Sequence, residues 1–165
     1  MVMHYTPMDY VGIFILATGT AVQFLRGVRD FSRVLYETGF LIAAVAGTNS
    51  LYGPLSQLAH VHGLVVYIVL FVVFFVTGLV LANLLNRAAA FSLGMFNYVF
   101  ALVLGVVYAY AMGHVVLRVA LNLLGRSHPQ VAKAMMYSWV ARELLYFRTW
   151  IEVLAILRQV RWLNI

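Results

Sequence analysis

Long apolar runs separated by brief polar interruptions dominate the chain. From Thr38 to Asn86 there is no Asp, Glu, Lys or Arg, and beyond Arg87 the same holds from Ala88 to Leu117. A water-soluble domain of 165 residues lacks the interior to bury so much uncharged chain, so the natural solvent of these runs is lipid. The pattern predicts four apolar helical spans, at about 8–25, 34–52, 64–86 and 96–117. Thr6-Pro7 reads as an N-cap followed by the first helical residue, with Asp9 in the first turn, where the helix dipole favours a carboxylate. Gly53-Pro54 reads as the end of the second helix, which leaves Leu55 to Gly63 as a short uncharged loop. Gly125 to Gln130 reads as another loop. The third span is rich in Val, Ile and Phe, residues that suit strands, but at this length in lipid a helix is the form that satisfies its own backbone.

The last segment differs in kind. From Val131 to Ile165 apolar residues mix with Lys133, Arg142, Glu143, Arg148, Glu152, Arg158 and Arg161, and all three tryptophans, Trp139, Trp150 and Trp162, fall here. Trp and Tyr favour the headgroup level and Arg snorkels to it, so this tail is expected to lie in the membrane interface as one or two helices, or to dock on a partner subunit. The expected architecture is an all-α integral membrane protein: a four-helix transmembrane domain over 1–125 and an interfacial amphipathic helical tail over 126–165.

Composition sharpens this picture. The chain is 64% hydrophobic and 10% charged, against roughly a quarter charged in soluble domains, and its length leaves no room for an appended soluble enzyme. There is no cysteine, which excludes disulfides, thiolate metal sites, iron–sulfur ligation and thiol-linked haem. The net charge is +6, with Arg26, Arg29, Arg33 and Arg87 flanking apolar spans; it reads as attraction to anionic headgroups, with no nucleic acid as partner. Met1 to Tyr10 has no Lys or Arg, hence no basic region of a secretory signal, and the first apolar segment is expected to be kept as a span. The positive-inside rule puts the N-terminus outside and the 26–33 turn in the cytoplasm. Four spans then place the basic tail outside as well, against the rule; either the rule weakens for a long tail or the span count is wrong by one.

Within the apolar runs a few patterns carry specific expectations. Ala101, Gly105, Ala109 and Gly113 are each four residues apart, a ridge of small side chains that permits close backbone approach to a helix of this chain or of a partner. Arg26–Asp30 and Arg33–Glu37 are spaced to pair along a helix. His60 and His62 form a His-x-His pair without neighbouring carboxylates, better read as solvated than as a metal site. His114 inside the fourth span suits an interhelical hydrogen bond and, as an alternative, axial ligation of a tetrapyrrole cofactor. Asn83, Asn86 and Asn97 around Arg87 suit caps or a polar vestibule, and Ser127-His128 lacks the geometry of a nucleophile and base. No catalytic residue, metal or resident cofactor is called for.

Asp9 opening the first span, Arg26-Gly27-Val28 closing it, Asp30 and the apolar second span resemble the start of the colicin V production protein family. The length, the four apolar segments and Ser138 in a Tyr-Ser-Trp context are similar too. The family's Asp-Arg-x-x-Gly-x-x-x-Gly-x-x-Arg-Gly pattern is degraded: Asn97-Tyr98 replaces Asp-Arg, Gly105 is retained, and Tyr108-Ala109 stands where Arg-Gly is typical. The resemblance implies a diverged bacterial inner-membrane protein, multi-pass, tied to toxin production or export and envelope maintenance. The expected function is a non-enzymatic scaffold or accessory subunit that binds lipid, other membrane subunits or its own copies. The alternatives are an oligomeric small channel or transporter, and a pigment- or cofactor-carrying subunit that uses His114.

Overall fold

The computed structural model describes residues 6–147. The expectations for Arg148, Trp150, Glu152, Arg158, Arg161 and Trp162 concern residues outside that range. Six α-helices follow in order: α1 (Pro7–Arg29), α2 (Phe31–Ala59), α3 (Gly63–Ala88), α4 (Asn97–Ser127), α5 (Pro129–Tyr137) and α6 (Trp139–Tyr146), with a single 3-10 turn at Gly94–Phe96. There is no strand among the described residues.

Among the described residues three helical stretches are long and apolar enough to cross a membrane, not the four expected: Pro7–Arg29, Gly63–Ala88 and Gly94–Leu124. α2 has the length, at 29 residues, but Glu37, Thr38, Thr48, Asn49, Ser50 and Gln57 dilute its apolar content. The helices also run past the expected ends. α2 continues through Pro54 to Ala59, where the sequence suggested a stop at Gly53-Pro54. Proline removes one N–H from the ladder without forbidding the turns after it, and the Ser56 hydroxyl donates back to the Gly53 carbonyl at 2.8 Å. The expected loop from Leu55 to Gly63 shrinks to the few residues around His60, which is left-handed at φ 52°. α4 does not end at Arg118 but extends to Ser127, and the expected loop over Gly125–Gln130 reduces to His128. Pro129 starts α5 at its first position, and the residue before a proline is pushed out of the helical region.

The helices form two close antiparallel pairs, α1 with α4 and α2 with α3, joined along the α2–α4 contact. The ridge on α4 faces α1. A Cβ added at Gly19 or at Gly27 would lie 2.9 Å from Ala109 Cβ or 2.7 Å from Ala101 Cβ, and one at Gly105 only 2.8 Å from the Thr20 carbonyl oxygen. The small residues thus come from both helices, as close packing in lipid requires. In the other pair the fit is reciprocal: Phe40 of α2 fills the notch at Gly78, and Phe74 of α3 fills the notch at Gly47. A buried cluster of Leu41, Val45, Tyr67, Phe71, Ala111 and Val115 marks where α2, α3 and α4 meet.

α5 and α6 fold back over α4 and α1. Val140, Ala141 and Leu144 of α6 are buried with Leu117 of α4, so the apolar face of this part of the tail is covered by its own bundle rather than by lipid. Trp139 and Arg142 stay exposed. Gly12 receives Val140, and Gly113 receives Leu144.

Candidate functional site

Polar side chains in an apolar bundle need partners, and three groups of them supply these to one another. The first holds the tail. Asp9 is 3% exposed; one carboxylate oxygen accepts from the Thr6 amide at 2.7 Å and its hydroxyl at 2.8 Å, the other from the Ser138 hydroxyl at 2.7 Å and the Val140 amide at 3.0 Å. Ser138 in turn accepts from the Ala141 amide, so one carboxylate caps α1 and, through Ser138, α6.

The second group sits at the α1–α2 turn. Glu37, 4% exposed, bridges Arg26 at 2.8 Å and Arg33 at 2.9 Å. The Arg33 pair has the expected spacing, but Arg26 turns to Glu37 rather than Asp30, because Asp30 breaks the helix and caps α2 through the Arg33 amide. Asp30 also accepts from the Asn86 side chain, whose oxygen accepts from Ser32, tying α3 to the turn. Asn97 instead organises the α3–α4 connection, accepting from the Leu93 amide at 2.8 Å and donating to Ser92 at 2.9 Å. Arg29 and Arg87 are exposed.

The third group is the site with chemical scope. Arg118 of α4 turns inward and donates to Asn49 Oδ1 at 2.9 Å and to the Tyr52 hydroxyl at 2.8 Å, both on α2. Arginine can only donate, so Asn49 presents its oxygen to Arg118 and its amide N–H to His114 Nε2, 3.2 Å away. That nitrogen must then accept, which makes the imidazole neutral with its proton on Nδ1, donated to the Leu144 carbonyl at 3.0 Å. The ring stacks on Phe147 at 4.8 Å. A single directed chain thus links α4, α2 and α6. Both imidazole nitrogens are occupied, so the arrangement offers no lone pair to a tetrapyrrole iron.

Arg118 also lies over the rings of Tyr52 and Tyr67, 4.8 and 5.1 Å from their centroids. It opens on a cleft of about 480 Å³ lined by Tyr52, His62, Tyr67, Leu121, Asn122 and Leu145 among others. The cleft lies one turn inside the α2–α3 connection: His62 caps α3 by accepting from the Leu64 amide, and Tyr67 follows one turn later. His60 is exposed, and among the described residues there is no group of three or more side chains able to hold a metal.

From the sequence Arg118 reads as the boundary of the fourth span, and Asn49, Tyr52 and Tyr67 read as parts of apolar helices. A usable signal was present: Asn49 with Tyr52 and His114 with Arg118 recur at one-turn spacing inside apolar helices, the mark of polar side chains turned to a common interior.

With three helices among the described residues apolar enough to cross a bilayer, the fold is that of an all-α membrane protein. Comparison with family models, with curated proteins and with solved structures gave no match.

Proposed function

We propose that the chain is a multi-pass membrane protein that works as a non-enzymatic scaffold or accessory subunit, presenting helical faces to lipid, to other membrane subunits or to copies of itself. The observation that carries this reading is α3. Its most apolar stretch has a mean hydropathy of 3.1 and is only 17% buried, and it packs almost wholly on α2. Val65, Val69, Val72, Val76 and Val80 each leave about half their surface open, a continuous apolar strip along one side. Such a helix is stable only against hydrocarbon or another apolar helix. α2 fits beside it at the same depth, since it turns Thr38 and Thr48 inward and Ile42, Ala43 and Ala46 outward. The resemblance to colicin V production proteins favours a bacterial inner membrane and a role in toxin production or envelope upkeep.

Purification of the full chain from membranes in mild detergent, with mass measurement of the intact particle, tests the reading. A defined complex with other subunits, or a compact homo-oligomer sealed along α3, is the expected result. A monodisperse particle folded in plain buffer without amphiphile refutes it. A ring of copies around an ion-conducting path replaces it with a channel.

A further inference from the structure

The cleft beside Arg118 carries more hydrogen-bond donors than the described residues take up. The guanidinium has more N–H groups than its bonds to Asn49 and Tyr52 use. The Tyr52 hydroxyl accepts from Arg118, so its own proton is left to give. Tyr67 is 3% exposed, lines the cleft, and its buried hydroxyl has no partner. His62 uses Nδ1 to accept from the Leu64 amide, which puts its proton on Nε2. Asn122 is engaged through its amide N–H with the Arg118 carbonyl.

No carboxylate among the described residues balances this arginine. Asp9 is held by Thr6, Ser138 and Val140, Asp30 by the Arg33 amide and Asn86, and Glu37 by Arg26 and Arg33. Glu143 of α6 is buried and has a partner of its own. A partly buried arginine above an orphaned, fully buried hydroxyl is costly in a low-dielectric interior, unless a charged acceptor enters the cleft. The required ligand is compact, anionic and rich in acceptor oxygens.

We propose that this cleft binds a phosphate-type oxyanion, held by Arg118 and by the hydroxyls of Tyr52 and Tyr67. The site lies near the bundle end where α2 hands over to α3, and Leu64, Leu121 and Leu145 give it an apolar wall. Both a lipid headgroup phosphate and free phosphate share the required chemistry.

The test uses the full chain in mild detergent, read by thermal unfolding in far-ultraviolet circular dichroism. One arm titrates inorganic phosphate against chloride at equal ionic strength. The other compares detergent micelles doped with phosphatidylglycerol with micelles doped with diacylglycerol, which lacks the phosphate. Stabilisation of the wild type by at least one anionic probe is expected. A response to phosphate alone assigns the soluble anion, and a response to phosphatidylglycerol alone assigns the lipid. Tyr67→Phe removes a hydroxyl that bonds nothing in the free protein, so it leaves the unliganded midpoint equal or higher while weakening the anion response about tenfold. Arg118→Gln abolishes the response; where that variant fails to fold, Tyr67→Phe and Tyr52→Phe decide. The proposal is overturned if the wild type responds to neither probe, or if Tyr67→Phe and Tyr52→Phe respond as the wild type does.

Discussion

Gly105→Ala isolates the close approach of α1 and α4. The new Cβ would stand 2.8 Å from the Thr20 carbonyl oxygen and 3.4 Å from the Thr20 Cα, both backbone atoms that no rotamer change can move. Comfortable contact begins near 3.5 Å, so the helices must separate by about 0.7 Å, and every neighbouring contact along the ridge loosens with them. Overpacking of this kind costs about 2 kcal/mol, while exchanging a helical glycine for alanine returns about 1 kcal/mol of propensity. The net loss is about 1 kcal/mol. Gly39→Ala is the matched control, because nothing lies within 4 Å of a Cβ there. It gains about 1 kcal/mol, so the two variants differ by about 2 kcal/mol, the steric cost alone. Gly105→Leu adds further atoms at the same spot and loses more than about 3 kcal/mol. Equilibrium unfolding in mixed micelles of dodecyl maltoside and sodium dodecyl sulfate, followed by circular dichroism, measures these differences. Equal shifts for Gly105→Ala and Gly39→Ala would refute the packing of α1 against the ridge.

Other perturbations probe the polar ties. Asp9→Ala takes the charged acceptor from the Ser138 hydroxyl and the Val140 amide, each bond worth about 2 kcal/mol, and frees α6 before the rest of the bundle. Amide exchange over 139–146 should accelerate well ahead of exchange in α4; unchanged protection there would show that Asp9 does not hold the tail. Glu37→Gln disconnects Arg26 and Arg33, whose side chains are 41% and 45% exposed, so the loss is only about 1 kcal/mol and shrinks with added salt. A loss that grows with salt contradicts that account. Because both His114 nitrogens are engaged, the purified protein should show no haem absorption even when made in haem-replete cells, and a stoichiometric Soret band would overturn the assigned hydrogen-bond directions.

The sequence by itself determined the solvent and the secondary structure. Runs such as Gly63–Asn86 declare a preference for hydrocarbon, and in hydrocarbon the backbone must bond to itself, which makes these runs helical. The Thr6–Asp9 cap and the small-residue ridge were legible for the same reason, being local patterns on one helix. Helix ends were not: Pro54 and Arg118 look like punctuation, yet the ladder continues past both, to Ala59 and to Ser127.

Choice of partner belonged to the tertiary structure. Along the chain Arg26 could as well pair with Asp30, and only the turn between α1 and α2 brings it to Glu37. The ridge specifies that something approaches closely, and the contacts of Gly19 with Ala109 and of Gly27 with Ala101 make it this chain's own first helix. Arg118, Asn49, Tyr52, His114 and Tyr67 come from three helices and mean little apart. Periodicity records which way a side chain prefers to face, but a site needs distances between helices, and those are fixed only when the bundle closes.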